Sequence, residues 1–253
     1  MKNTENIIRV CDISVRYGDR QILENVSFNV KRGEIFVIVG SSGSGKSTLL
    51  RQMIGLETPE KGSVYIKDEN FSQANESHRK RILSSFGVLF QSGGLFNSMT
   101  VAENIKLVLE TYTDLSEERM NKIINMKLKS VNLNGFENYY PSELSGGMKK
   151  RAGLARAMAL DPEILFFDEP SSGLDPVTAA TLDSLIKNLN HQLGTTMIIV
   201  THDLASILDI ADRIVMLDIN EKGIIVEGTP AELINYTENP AVYSFFNRVS
   251  EFI

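Results

Sequence analysis

The stretch "GSSGSGKST", from Gly40 to Thr48, limits what this chain can fold into more than any other. It has the spacing G-x-x-x-x-G-K-[ST], with Gly40, Gly45, Lys46 and Ser47 at the fixed positions. An apolar run of strand length, "EIFVIV", leads into it, and "KSTLLRQMIG" continues as a helix. A glycine-rich turn between strand and helix brings backbone N–H groups up to an anion, and the helix N-terminus adds positive potential. In that setting Gly40, Ser41, Ser42, Gly43, Ser44, Gly45, Lys46, Ser47 and Thr48 are expected to cradle the phosphates of a nucleotide. Lys46 would reach the β- and γ-phosphates and Ser47 would ligate Mg2+. A purely structural turn is the alternative, and the strand and helix on either side weigh against it.

The rest of the chain fits an α/β frame around that loop. "FGVLF", "ILFFD" and "TMIIVT" are apolar runs without alternation, as expected of strands buried on both faces of a parallel sheet. The amino-terminal "IIRVCDISVRY" and "VSFNV" alternate around a polar "GDR", which predicts an antiparallel sheet edge. Between Thr100 and Leu160 the spacing is helical throughout, so an α-helical subdomain, about residues 92–160, is expected as an insertion in the α/β core. "RIVMLD" and "GIIVEG" follow as two short strands. The tail, about residues 239–253, predicts a helix opening at Pro240, with Val242, Phe245, Phe246, Val249 and Phe252 on one face. That face packs either on the chain's own core or on a partner subunit.

Length and charge narrow the class. With 253 residues the chain can form one large domain or two closely joined lobes, and a single domain over residues 1–253 is expected. The formal charge of −6 is far from the basic footprint of a duplex-binding protein, so nucleic acid is not expected as a partner. No apolar run approaches the ~20 residues that span a bilayer, and nothing at the amino terminus reads as a secretory signal. A lone cysteine, Cys11, excludes an internal disulfide and suits the cytoplasm. Cys11 itself is expected to be a small buried residue on a strand.

Several polar residues fall where apolar strands end, which is where ligands collect in open α/β sheets. In "ILFFDEP", Asp168 is placed to hold Mg2+, directly or through water. Glu169 is placed to polarise an attacking water, the difference between binding ATP and hydrolysing it. A helix cap is the alternative for this pair. His202, at the tip of "TMIIVTHD", can hydrogen-bond a γ-phosphate oxygen. Gln91 in "VLFQSGG" offers an amide to Mg2+ or water, and Tyr17 offers a ring that either stacks on adenine or pairs with an aromatic across the sheet.

Taken together these elements resemble the ATP-binding subunits of ABC transporters, in the order that family shows them. Tyr17 is similar to the adenine-stacking loop, "GSSGSGKST" to Walker A, Gln91 to the Q-loop and "LSGGM" at Leu144 to Met148 to the signature. "ILFFDE" is similar to Walker B, "SSGLD" at Ser171 to Asp175 to the D-loop, and His202 to the switch histidine. The resemblance implies a RecA-like P-loop nucleotide-binding domain that hydrolyses Mg-ATP as a dimer. Ser145, Gly146, Gly147 and Asp175 would complete the nucleotide site of the second copy. It also implies a multi-spanning membrane permease that meets the helical lobe near Gln91 to Val101, with the chain peripheral on the cytoplasmic side of the inner membrane. Ser145 can cap a helix whose free N–H groups face an anion. Lys149, Lys150 and Arg151 oppose the dipole of that helix, so either an anion or acidic neighbours sit close, or they form a solvated basic face. Ala152, Ala155 and Ala159 predict close packing.

The family's usual fifth signature residue is Gln, and here it is Met148. "LSGGM", with "GVLFQSGGLFNSMTVAENI" and "SSGLDPVT", resembles the ATPases of Mla-type transporters. That implies phospholipid transport with an MCE-domain lipid-binding subunit and, in some bacteria, a small STAS-domain subunit. The alternatives are an ABC importer or exporter for another substrate, or a soluble ABC ATPase, which would need a long coil insertion or a second cassette. A P-loop kinase would instead need a phosphate acceptor, and would leave Glu169, "LSGGM" and His202 without a role.

Overall fold

The structure is a computed structural model that describes residues 6–249. In chain order it forms β1 (Asn6–Tyr17), β2 (Arg20–Lys31), β3 (Ile35–Gly40), α1 (Lys46–Met53), β4 (Lys61–Ile66), β5 (Glu69–Asn70), α2 (Glu76–Leu83) and β6 (Phe86–Leu89). Then come α3 (Val101–Tyr112), α4 (Glu117–Ser130), α5 (Gly146–Ala157), β7 (Ile164–Asp168), α6 (Pro176–Leu193) and β8 (Thr196–Val200). The last elements are α7 (Leu204–Ile210), β9 (Arg213–Asp218), β10 (Gly223–Gly228), α8 (Pro230–Ile234) and α9 (Pro240–Asn247). These fall into two compact units, one of residues 1–75 with 198–253 and the other of residues 76–197.

In the first unit β3 carries the phosphate loop, and its six residues are all buried, as the unbroken apolar run requires. It pairs in parallel with β9, from Phe36 opposite Arg213 to Gly40 opposite Leu217, and the order across this part of the sheet is β10-β9-β3-β8. The antiparallel edge is a separate sheet in the order β2-β1-β4-β5. The sequence did not anticipate β4 and β5, and β2 starts at Arg20 rather than with "VSFNV" because the β1–β2 turn is tight. Cys11 lies on β1 but is half-buried rather than buried, since it points away from the packed face that Val10 and Ile13 occupy. Arg213 ties both sheets together: its guanidinium binds Glu34 at 2.5 Å, pairs with Glu227, donates to the Asn29 carbonyl at 2.6 Å and lies over the Phe36 ring.

The tail helix α9 opens as expected, with the Asn239 side chain accepting from the N–H groups of Ala241 and Val242 and Pro240 in the first turn. It ends earlier than its apolar pattern suggests, because Arg248 turns left-handed at φ 54°. Val249 therefore leaves the expected face and is 40% exposed, while Val242 and Phe246 are buried within this unit. Phe252 lies outside the described residues.

In the second unit β6 and β7 pair in parallel, Phe86 opposite Ile164 through Leu89 opposite Phe167. Between them, among the described residues, there is no strand, and the three helices α3, α4 and α5 occupy the stretch expected to be helical. α3 starts with a reciprocal cap between Thr100 and Glu103, and α6 starts with Asp175 and Pro176 and stops at left-handed Gly194. Gly87 shows how tightly α5 lies on β6: a Cβ there would sit 2.0 Å from the Ala157 carbonyl oxygen, which is backbone and cannot rotate away. Gly87→Ala is accordingly expected to destabilise the chain by about 3 kcal/mol, the upper end of overpacking costs, read as a lower urea midpoint.

Candidate functional site

The phosphate loop is built entirely within the first unit. Gly40 sits at φ 148°, where a Cβ would meet the Leu217 carbonyl at 2.3 Å, and Gly45 at φ 97° turns the chain into α1. Gly45 makes no side-chain cap bond to α1, and the helix dipole puts positive potential at this end, beside the loop. Lys46 folds back over it, its Nζ donating to the carbonyls of Gly40 at 2.8 Å and Ser41 at 2.9 Å. From Gly40 to Thr48 there is no carboxylate, only N–H groups, hydroxyls and one ammonium. The Ser44 Oγ is buried with no hydrogen-bond partner among the described residues. This donor set suits a polyphosphate.

Two further predicted residues belong to this unit. Tyr17 closes β1 opposite Arg20, so it makes no aromatic pair across that strand. Instead its half-exposed ring is held by a hydroxyl donating to Glu57, and that bond, ahead of partial burial, raises the phenol above its usual range. Glu57 is itself fixed by Gln52 at 3.1 Å and Arg51 at 3.3 Å on α1, so the helix after the phosphate loop also sets the tyrosine. His202 is exposed just beyond β8, next to Asp203, whose carboxylate caps α7 through the Ala205 N–H.

The second unit holds the remaining candidates. Asp168 ends β7, and Glu169 follows in a left-handed conformation at φ 48° that is uncommon outside glycine. Gln91 lies just past β6 and donates from Nε2 to the Ser172 hydroxyl at 3.1 Å. Ser145 is exposed and caps α5, its Oγ accepting from the Met148 N–H at 3.3 Å, as the sequence predicted. Gly147 admits the neighbouring helix: a Cβ there would meet the Thr178 methyl at 2.5 Å. Asp175 caps α6 through the N–H groups of Val177 and Thr178, and the Thr178 hydroxyl bond is the first cause that holds its carboxyl below the usual range.

In the basic trio after the signature, Lys150 follows the acidic-neighbour reading, and Arg151 follows neither. Arg151 donates to the carbonyls of Val131 and Asn132 at the end of α4. Lys150 is buried, 5% exposed, and its Nζ donates to the backbone carbonyls of Gln91 and of Glu169, the latter at 3.2 Å. Burial pulls the ammonium below its usual range while the carboxylates of Asp168 and Glu169 act against that. Acidic neighbours, rather than solvent, explain a cation near the start of α5. The sequence signal for this was only the mismatch with the helix dipole. Ala152, Ala155 and Ala159 are buried as expected.

Hard oxygen donors suited to Mg2+ are present in Ser47, Gln91 and Asp168, and Mg2+ characteristically takes few protein ligands besides substrate phosphates. Among the described residues there is no cluster of three His, Cys, Asp or Glu that would make a dedicated metal cage. A loop of donors between a parallel strand and a helix is the arrangement of a P-loop nucleotide-binding fold.

A profile described as "ABC transporter" matches residues 23–172, and the chain belongs to the ABC transporter family. It is an ATPase of that family. It is 40% identical over 230 residues to the intermembrane phospholipid transport system ATP-binding protein MlaF of Haemophilus influenzae, covering 91% of this chain and 86% of that one. With the Escherichia coli K12 protein of the same description it shares 38% over 250 residues, covering 99% and 92%. A probable ribonucleotide transport ATP-binding protein of Mycobacterium leprae is 40% identical over 240 residues, covering 95% of this chain and 68% of that one. Among solved structures, the dimeric structure of a bacterial ABC transporter cassette is 33% identical with a TM-score of 0.80, covering 88% of this chain and 98% of that one. A post-hydrolysis dimer of an ATP-binding cassette with ADP and Pi gives 32% and 0.79. Among the described residues no helix is long and apolar enough to cross a membrane.

Proposed function

We propose that this chain powers phospholipid movement between the inner and outer membranes of a bacterium, as a pair of copies on the cytoplasmic face of the inner membrane beneath a multi-spanning permease. The observation that carries the lipid reading is the end-to-end similarity to two proteins described as intermembrane phospholipid transport ATP-binding subunits. Met148 in the signature supports it. The ribonucleotide-transport relative is as similar in identity but runs well beyond the length this chain spans.

In this reading Lys46 and the N-terminus of α1 neutralise charge on the β- and γ-phosphates, and Tyr17 stacks on adenine. Glu169 takes a proton from water as the water oxygen attacks the γ-phosphorus and the bond to the ADP oxygen breaks. His202 bonds a γ-phosphate oxygen. Ser47, Gln91 and Asp168 are the donors for Mg2+, which when bound offsets phosphate charge. Ser145, Gly146, Gly147 and Asp175 serve the nucleotide held by the other copy. The permease contact falls on the loop after Gln91, where Phe96 is 52% exposed over the Arg156 guanidinium and the buried Asn104 amide holds the backbone of Phe96, Met99 and Thr100.

The test is to purify the native membrane complex through a tag on this chain and identify its proteins and lipids by mass spectrometry. Co-purification of a permease, an MCE-domain subunit and phospholipid is the expected result, and a small STAS-domain subunit would fit the same assembly. A permease with bound nucleotides and no MCE-domain protein would replace the lipid reading with the ribonucleotide one.

A further inference from the structure

Lys150 has no part in the chemistry assigned above, and yet its placement is costly. An ammonium that is 5% exposed has lost its water, and an apolar side chain would fill the same space without that penalty. What the ammonium does instead is join three segments far apart in sequence. It rides on the first turns of α5, three residues beyond Gly147, and donates to the carbonyl of Gln91 and to that of Glu169. Both acceptors are backbone, so the contact fixes the path of the chain rather than one rotamer.

The Glu169 end is where that matters. A non-glycine residue at φ 48° carries about 1–3 kcal/mol of strain, and it persists only where surrounding contacts over-determine it. Pro170 follows and disfavours the compact backbone conformations for the residue before it. The Lys150 bond to the Glu169 carbonyl is one of the contacts that holds this conformation, and so sets where the carboxylate points. At the other end the same Nζ holds the first residue of the loop whose side chain donates to Ser172.

We infer that Lys150 is a positioning residue for hydrolysis: it registers the backbone of Glu169 and of Gln91 against the signature helix, so that the base is aimed only while α5 is in place. This rests on the reading of Glu169 as the base. A base displaced by about 1 Å costs on the order of a hundredfold in rate while leaving phosphate binding alone.

The experiment uses the full chain and Mg-ATP. Lys150→Met is expected to lower kcat roughly thirtyfold, with KM and ATP affinity changed by less than about twofold and the melting temperature close to parental. Lys150→Arg, which keeps the charge and the donors, is expected to recover most of the loss. Because Lys150 acts through Glu169, Lys150→Met added to Glu169→Gln should slow turnover by no more than about twofold further. Should Lys150→Met fail to fold, Lys150→Gln, which keeps one donor, reads the same split between kcat and KM. Three results would overturn the inference: parental kcat in Lys150→Met, loss of ATP affinity in step with kcat, or losses that multiply in the double variant. A slow Glu169→Gln beside a fast Lys150→Met removes only this inference, whereas a fast Glu169→Gln removes the base assignment and this inference with it.

Discussion

Glu169→Gln is expected to leave ATP binding within about threefold of the parent and to slow hydrolysis by about 10²–10⁴, the range that a positioned general base contributes. The amide matches the carboxylate in size, and the features that set this position are backbone ones: the left-handed turn, the following Pro170 and the carbonyl bond from Lys150. The substitution therefore removes proton affinity and little else. Lys46, the N–H groups of α1 and the ring of Tyr17 all lie in the other unit and are untouched, so affinity is retained. With hydrolysis blocked and binding intact, ATP should hold the chain as a dimer, seen as an earlier peak in size-exclusion chromatography. The measurements are steady-state phosphate release and nucleotide affinity on the same preparation. Turnover within a few-fold of the parent would remove Glu169 as the base, leaving Asp168 with Mg2+ and substrate positioning to account for the rate.

Much of the fold was legible because its strongest constraints are local. The strand, loop and helix around Gly40 to Thr48 need fixed residue types at fixed spacing, and the unbroken apolar runs of β3, β7 and β8 announce strands covered on both faces. The Ser145 cap was equally legible, since it accepts from an N–H three residues on, whereas the caps made by Asp175 and Asn239 came from the structure. What the sequence concealed depends on partners distant along the chain. Lys150 reads equally as a cation with an anion or acidic neighbours close by and as part of a solvated basic face until β6 and β7 bring the carbonyls of Gln91 and Glu169 to it, and Glu57 gives no sign of holding Tyr17, 40 residues earlier. β4 and β5 are short and polar on one face, so their identity as strands comes from pairing with β1 rather than from pattern. The end of α9 was missed for a different reason: its apolar period continues through Val249 to Phe252 in the sequence, but the backbone reverses at Arg248.

Ser145→Arg separates what one copy does alone from what two copies do together. Ser145 is exposed at the start of α5, so an arginine has room within the chain, and loss of the cap bond to the Met148 N–H costs about 1 kcal/mol, too little to unfold a domain of this size. If the signature served the nucleotide of its own chain, the variant would bind ATP poorly. If it serves the nucleotide of the second copy, the isolated variant should bind Mg-ATP as the parent does, through Lys46 and the loop after β3, while its bulk and charge keep the two copies from closing and hydrolysis falls below detection. Mixing decides the matter further. Lys46→Ala lacks a working phosphate loop but keeps its signature, and Ser145→Arg has the reverse defect, so a mixed pair regains one intact site. Hydrolysis by the mixture above that of either variant alone is expected, with a dependence on total protein concentration that reflects pairing. Loss of ATP binding in Ser145→Arg by itself, or a mixture as inactive as its components, would return the signature to its own chain and leave the dimer without a catalytic reason.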